Sequence, residues 1–127
     1  NLGTLLRAAD ALGPAFVLLS AGCADPTGPK AARASAGSIF RVPLGRFEDG
    51  DRFSRVALVP RGGVPLAELE LPEPAVFVLG AEREGLPEAV LADVALSATI
   101  PQPGRVESLN VATAGAIALY EWRRRQP

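Results

Sequence analysis

The apolar positions of the chain fall into short continuous runs that are separated by amphipathic or polar stretches. The runs are rich in Val, Leu and Ala and predict five strands, at 15–19, 38–44, 55–60, 75–80 and 94–101. The stretches between them predict a helix over Leu2–Leu12, a short helix near Pro29–Ala34, a helical turn at Leu66–Leu69 and a helix from Pro87. Strands of this kind, alternating with helices, are typical of a mostly parallel sheet with helices on both faces. We therefore expect one α/β domain over residues 1–127.

The last helix has a less common pattern. The segment RVESLNVATAGAIALYEWRRR, residues 105–125, carries one amide and no charge between Ser108 and Tyr120. Surface helices normally have a charged face, so this pattern predicts burial on nearly every side until Glu121. Ser108 is a suitable N-cap because its hydroxyl can accept from the unpaired amides of the first turn. Asn110 needs a polar partner in such surroundings, which points to a pocket at the start of this helix.

Composition places the chain among globular domains. It has 127 residues, of which 48% are hydrophobic and 21% charged, with a net charge of −1. Its only cysteine, Cys23, has no partner for an intramolecular disulfide, as expected in the reducing cytoplasm. There is no apolar run of membrane length and no signal-peptide pattern, so we expect a cytoplasmic protein that does not engage a membrane. Because the chain lacks Met and starts at Asn1, we expect a piece of a longer protein.

The residue inventory narrows the possible chemistry. The chain has no histidine and one cysteine, which excludes zinc sites built from these residues and nucleophiles that depend on histidine. We expect no metal site, so any reaction relies on the remaining polar side chains, backbone groups or a cofactor. With 14 acidic and 13 basic residues, the chain has no bulk positive charge for nucleic acid.

Two glycine-bearing loops are the best candidates for a site, because ligands of parallel sheets bind at the carboxyl ends of strands. LGAEREGLP follows the fourth predicted strand, and IPQPGRVESLN follows the fifth. Gly80, Gly85 and Gly104 permit close backbone approach, although plain turn chemistry explains them equally well. Leu86 and Pro87 stand where a P-loop needs Lys and Ser or Thr, and no G-x-G-x-x-G fingerprint is present.

Three segments together form a pattern that single residues do not. Taken alone, Arg7 and Glu82 are explained at least as well by a surface side chain or an ion pair. NLGTLLRAADALG, VLGAEREGLP and IPQPGRVESLNVATAGAIALYE, in this order, resemble the three motifs of the SpoU (TrmH-type) RNA ribose 2′-O-methyltransferases. The likeness covers nearly the whole chain, including DPTGPKAARASAGSIFRVPL. It implies an S-adenosylmethionine-dependent RNA-modifying enzyme of the SPOUT class, with a deep C-terminal trefoil knot and a homodimeric active site.

The resemblance also implies roles for individual residues. Those that match catalytic and substrate-placing positions of the family are Asn1, Arg7, Glu82, Ser108 and Asn110. Those that match cofactor contacts or their neighbours are Gly80, Gly85, Ile100, Pro101 and Leu109. In the family the arginine is proposed to activate the ribose hydroxyl. Because a guanidinium stays protonated in essentially all protein settings, we expect Arg7 to bind the neighbouring phosphate and fix the ribose geometry.

The chain departs from the family pattern in three places. Ala8 stands where the family often has Ser or Thr, and the connection 46–54 is shorter than the helix often found there. The family also has a strand before the position of Asn1 and usually a separate RNA-binding domain, neither of which this chain contains. The resemblance of the DPTGPKAARASAG region to family members implies ribosomal RNA rather than transfer RNA as the substrate.

Two other readings stay open at this point. One is a catalytically silent RNA-binding or dimerisation module of the same fold. The other is a Rossmann-like nucleotide-binding domain, which the missing fingerprints weaken. Titration with S-adenosylmethionine, NAD and ATP separates the three readings, because each predicts a different preferred ligand or none.

Overall fold

The computed structural model describes residues 1–81 and 84–127. Its helices are α1 (Leu2–Leu12), α2 (Pro29–Ser35), α3 (Glu88–Asp93) and α4 (Val111–Arg124), with short 3-10 helices at Ser38–Phe40 and Phe47–Gly50. Its strands are β1 (Val17–Leu19), β2 (Leu44–Arg46), β3 (Arg55–Leu58), β4 (Val64–Pro65), β5 (Val76–Val78) and β6 (Leu96–Thr99). Helices and strands alternate along the chain, which confirms the α/β class.

The named strands pair only in parallel. β1 pairs with β2, and the other four strands form a separate sheet in the order β4-β6-β3-β5. Within that sheet Val56 of β3 lies opposite Phe77 of β5 on one side and Leu96 of β6 on the other. Because these strands run in the same direction, the loops that follow β5 and β6 leave the sheet at the same edge.

Two apolar clusters form the core, and α4 contributes to both. The first contains Val56, Leu66, Leu69, Ala98 and Ala118. The second contains Leu6, Ala9 and Val42, with Leu119 packed against them. Ala118 and Leu119 are neighbours on α4, so this helix lies between the cluster built on the four-stranded sheet and the cluster built on α1.

Most predicted elements are present, but the predicted strand at 38–44 is wrong. Its first half is the 3-10 helix, and the strand begins only at Leu44. Ser38 is buried and its hydroxyl donates to Asp10 Oδ2 at 2.9 Å, while the Arg41 amide donates to the Ser38 carbonyl at 2.9 Å. These two bonds close a turn against α1, which a pattern of apolar positions does not reveal. The short strand β4 was not predicted either.

The structure also corrects two expectations about α4. Its N-cap is Asn110 and not Ser108, which lies exposed in the preceding loop. Burial is confined to one face, formed by Ala112, Gly115, Ala118 and Glu121. The opposite face includes Thr113, Ile117 and Tyr120, and Tyr120 is 59% exposed. The lack of charge before Glu121 therefore leaves an apolar surface on α4.

None of the described helices combines the length and apolar character that crossing a bilayer needs.

Candidate active site

The first and third motifs are joined by a hydrogen bond between two asparagines. Asn110 Nδ2 donates to Asn1 Oδ1 at 2.9 Å, across 109 positions of sequence. Asn110 Oδ1 in turn accepts from the amides of Ala112 at 2.9 Å and Thr113 at 3.2 Å, which caps α4. The expected polar partner of Asn110 is thus the residue that precedes α1. Asn1 makes no side-chain capping bond to its own helix and uses its amide oxygen for this contact.

The second motif joins the other two at Gly115. A Cβ atom on this glycine would overlap the Leu5 side chain of α1 and would lie 3.1 Å from Leu79 Cδ1, at the end of β5. A larger residue at position 115 would force the Leu5 side chain to move. Residues from all three motifs therefore meet on the buried face of the first turns of α4.

A tight turn follows β5. The Gly85 amide donates to the Ala81 carbonyl at 2.9 Å. A Cβ on Gly80 would clash with the backbone of Gly85 and would lie 2.6 Å from the Leu86 nitrogen. The backbone of Gly80 therefore lies close against the backbone of Gly85 and Leu86. A Cβ atom on Gly85 would meet no other atom within 4 Å. The catalytic role predicted for Glu82 concerns a residue that lies outside the described residues.

The remaining predicted residues lie on the loop from β6 to α4. Ile100 is half-buried against the core cluster of the sheet, and Leu109 is half-buried near the start of α4. Pro101 and Ser108 are exposed. The start of the loop is thereby packed against the core, while Ser108 lies exposed.

Arg7 is exposed on α1 and, among residues 1–81 and 84–127, has no ion pair or hydrogen bond through its side chain. The interpretation of Arg7 as a salt-bridged surface residue is therefore not supported by the described contacts. Arg7 follows Leu5 by two residues, so it points about 200° around the helix from the side chain that meets Gly115.

A cluster missed by the sequence interpretation lies one turn beyond Arg7. Asp10 Oδ2 accepts from Arg41 Nε at 2.8 Å and from the Ser38 hydroxyl at 2.9 Å. The hydrogen bond from Arg41, followed by that from Ser38, lowers the pKa of Asp10 below its usual range. Asp10 is therefore an ionised partner of Arg41 and a poor candidate for a general base near neutral pH.

No cluster of three or more potential metal ligands occurs among the residues that the structure describes. A cleft of about 290 Å³ lined by Glu70, Glu73, Trp122 and Arg125 lies at the carboxyl end of α4. That end is about 20 Å from Asn110 for a helix of this length, so the cleft is distinct from the meeting point of the motifs.

Comparison with known proteins identifies the family. The model of the SpoU rRNA methylase family matches residues 1–120. The chain belongs to the SpoU rRNA methylase family. It is 38% identical over 135 residues to an uncharacterised tRNA/rRNA methyltransferase of Synechocystis, covering 99% of this chain and 49% of that protein. It is 35% identical over 133 residues to RlmP of Bacillus subtilis, a 23S rRNA (guanosine-2′-O)-methyltransferase, covering 97% of this chain and 53% of RlmP.

A solved structure of a SpoU-like protein agrees with this assignment. The AdoMet-bound rRNA methyltransferase of Sinorhizobium meliloti superposes with a TM-score of 0.91 at 36% identity, covering 99% of this chain and 52% of that one. The chain thus spans about half the length of the relatives that it matches.

One buried polar atom lies on the loop that follows β6, at Gln102. Gln102 Nε2 donates weakly to the Ile100 carbonyl at 3.4 Å, which orients the side-chain amide. Gln102 Oε1 is buried and has no hydrogen-bond partner in the described part of the chain. A buried acceptor without a donor costs about 1–3 kcal/mol, so an amino group from a ligand would stabilise it. S-adenosylmethionine carries amino groups, so this buried acceptor is compatible with it. The sequence interpretation missed Gln102, although a polar residue just after a strand end was a usable signal.

Proposed function

We propose that residues 1–127 form the catalytic domain of an enzyme that transfers a methyl group from S-adenosylmethionine to a ribose 2′-hydroxyl of RNA. The observation that carries the proposal is the meeting of the three motifs through the Asn1–Asn110 hydrogen bond and the contacts at Gly115. These segments are far apart in sequence and come together near the carboxyl ends of parallel strands, where such folds bind ligands. Membership of the SpoU family supports the same activity.

The cofactor would supply a methyl group on a positively charged sulfur. The hydroxyl oxygen would bond to the methyl carbon, the carbon–sulfur bond would break to leave a neutral thioether, and the hydroxyl proton would pass to bulk solvent. We propose that Gly80 and Gly85 hold the cofactor from one side, while Ile100, Pro101 and Leu109 hold it from the other. Gln102 Oε1 accepts from one of its amino groups. The contribution of the protein is then to align the hydroxyl with the methyl carbon and to keep water out.

We propose that Arg7 binds an RNA phosphate beside the target ribose. Its guanidinium stays charged and presents a rigid fork of donors that matches phosphate oxygens. Since Arg7 points away from Gly115 on its own chain, we propose that it serves the cofactor site of a partner subunit in a homodimer. Ser108 and the joined Asn1 and Asn110 are proposed to place the ribose, and Glu82 is proposed to take part in the same step.

The exposed face of α4 supports the homodimer. Ile117 is 37% exposed and Tyr120 is 59% exposed, and they lie three positions apart on one side of the helix. An apolar surface of this kind is stabilised by covering it, and a second copy provides a matching surface. We propose in addition that the C-terminal part is knotted, as the family resemblance implies, and that ribosomal RNA is the substrate, as it is for RlmP.

Methyl transfer tests the proposal directly. The purified chain is incubated with S-adenosylmethionine labelled in its methyl group and with ribosomal or transfer RNA transcripts, followed by alkaline hydrolysis. Incorporated label in alkali-resistant dinucleotides is expected, because a methylated 2′-oxygen cannot attack the adjacent phosphate. A silent module of the same fold would bind RNA without incorporating label. Label in the mononucleotides that alkali releases would place the methyl group on a base and contradict ribose methylation.

A further inference from the structure

Glu121 is a buried carboxylate near the end of α4. Its residue is 9% exposed, and it lies on the helix face that carries Ala112, Gly115 and Ala118. Arg124 donates to it through Nε and Nη2, both at 2.7 Å, and Arg125 donates through Nε at 2.9 Å and Nη2 at 2.6 Å. Burying a carboxylate costs free energy unless it is paired in this way, and such a pair need not add net stability. The groups that the pair holds in place therefore indicate its role.

Arg125 reaches beyond Glu121 to another part of the chain. Its Nη1 donates to the Leu69 carbonyl at 2.6 Å, and its Nη2 donates to the carbonyls of Leu66 at 3.0 Å and Ala67 at 3.2 Å. Glu121 holds one edge of the guanidinium while the other edge binds the 66–69 turn. Arg125 therefore ties the carboxyl end of α4 to this turn. Arg124 is half exposed and has no such contact among the described residues.

The 66–69 turn and its neighbour Gly63 are hydrogen-bonded to the end of β6. The Leu66 amide donates to the Thr99 carbonyl at 2.9 Å, and the Gly63 amide donates to Thr99 Oγ1 at 2.8 Å. Thr99 immediately precedes Ile100, where the 100–110 loop begins. The same loop ends at Asn110, which caps α4. Arg125 thus connects α4, where the loop ends, to the turn that is bonded to the end of β6, where the loop begins.

We propose that Arg125, oriented by Glu121, is a positioning residue for the cofactor loop 100–110. By holding α4 against the turn that is bonded to Thr99, it fixes the separation of the two ends of the loop. It thereby sets the placement of Ile100 and Leu109. Arg125 acts from the far end of α4 and does not touch the cofactor. This inference rests on the proposed function, because the loop matters only if it binds S-adenosylmethionine.

The test compares variants at neighbouring arginines. Arg125→Lys keeps the charge beside Glu121 but cannot span the three carbonyls with one ammonium group. Arg125→Gln removes the fork, and Arg124→Gln is the matched control. Affinity for S-adenosylmethionine is measured by calorimetry at a temperature where denaturation curves show each variant fully folded, so that lost stability alone does not change the result. Hydrogen exchange of the 100–110 amides is followed on the same samples, and Arg125→Lys replaces Arg125→Gln if the latter does not fold.

We expect both Arg125 variants to bind S-adenosylmethionine about tenfold more weakly, a loss typical of indirect coupling. The affinity of Arg124→Gln should stay within about twofold of the wild type. Exchange of the loop amides should accelerate in the Arg125 variants and not in the control. Folded Arg125 variants with wild-type affinity would overturn the inference. A wild-type chain that does not bind S-adenosylmethionine would instead contradict the proposed function.

Discussion

At the residue scale, Asn110 joins two structures with the two ends of one amide. Its oxygen accepts from the amides of Ala112 and Thr113, and its nitrogen donates to Asn1. An N-cap usually needs only an acceptor, which a serine at position 110 would also provide. The amide carries its acceptor and its donor on two separate atoms, so one side chain caps α4 and also reaches Asn1.

The role of Arg7 gives a prediction at the same scale. Lysine keeps the charge of Arg7 but loses the two-pronged geometry that fixes a phosphate. We expect Arg7→Lys to lower kcat for RNA by about tenfold or more while leaving S-adenosylmethionine affinity and the free energy of unfolding unchanged. Arg33→Lys, an exposed arginine on α2, serves as the control. Near-normal turnover by Arg7→Lys would count against a phosphate-binding role.

The sequence shows residues better than it shows their partners. Asn1, Arg7 and Asn110 were identified through the motif resemblance, and the structure brings Asn1 and Asn110 together. The pairing of Asp10 with Arg41 spans 31 positions, and no local pattern signals it. Contacts of this kind depend on how elements pack, so single-sequence reasoning does not reach them.

At the element scale, the helices and most strands follow from hydrophobic pattern and terminal residues. α1 begins and ends where predicted, because Asn1 and Gly13 bound an amphipathic stretch. α4 was predicted to be buried almost all round, and this was wrong because small and apolar residues do not reveal which face is covered. The two-residue strand β4 lies beyond prediction from pattern, since Val64–Pro65 pairs with β6 through tertiary packing alone.

The start of α4 gives a prediction at this scale. Asn110→Asp keeps the oxygen that caps the helix and removes the nitrogen that donates to Asn1, whereas Asn110→Ala removes both. We expect Asn110→Ala to lose about 1 kcal/mol of unfolding free energy, as typical of a lost N-cap, and Asn110→Asp to lose less. Both should bind S-adenosylmethionine more weakly, because both separate the first motif from the third.

Urea denaturation and calorimetric titration measure these two effects separately. Thr113→Ala is the matched control, since Thr113 is exposed on the first turn of the same helix and its side chain makes none of these bonds. If Asn110→Asp bound the cofactor as the wild type does, the Asn1–Asn110 hydrogen bond would be a structural contact with no part in the site.

At the scale of the whole molecule, α4 connects α1, both core clusters and the 66–69 turn. Its first turn meets α1 and the end of β5, its middle contributes to both core clusters, and its last turn is tied to the 66–69 turn. The helix has one buried face and one exposed apolar face. The same element therefore joins the three motifs within one chain and leaves an apolar face exposed.

We propose that Gly80, Gly85 and the 100–110 loop enclose a methyl donor. Calorimetric titration of the folded chain with S-adenosylmethionine, and of the Gly80→Ala variant, tests it most directly. We expect micromolar binding that Gly80→Ala weakens at least about tenfold, because a methyl group at Gly80 clashes with Gly85 and Leu86. A folded wild-type chain that gives no binding, or that prefers NAD or ATP, would contradict the account.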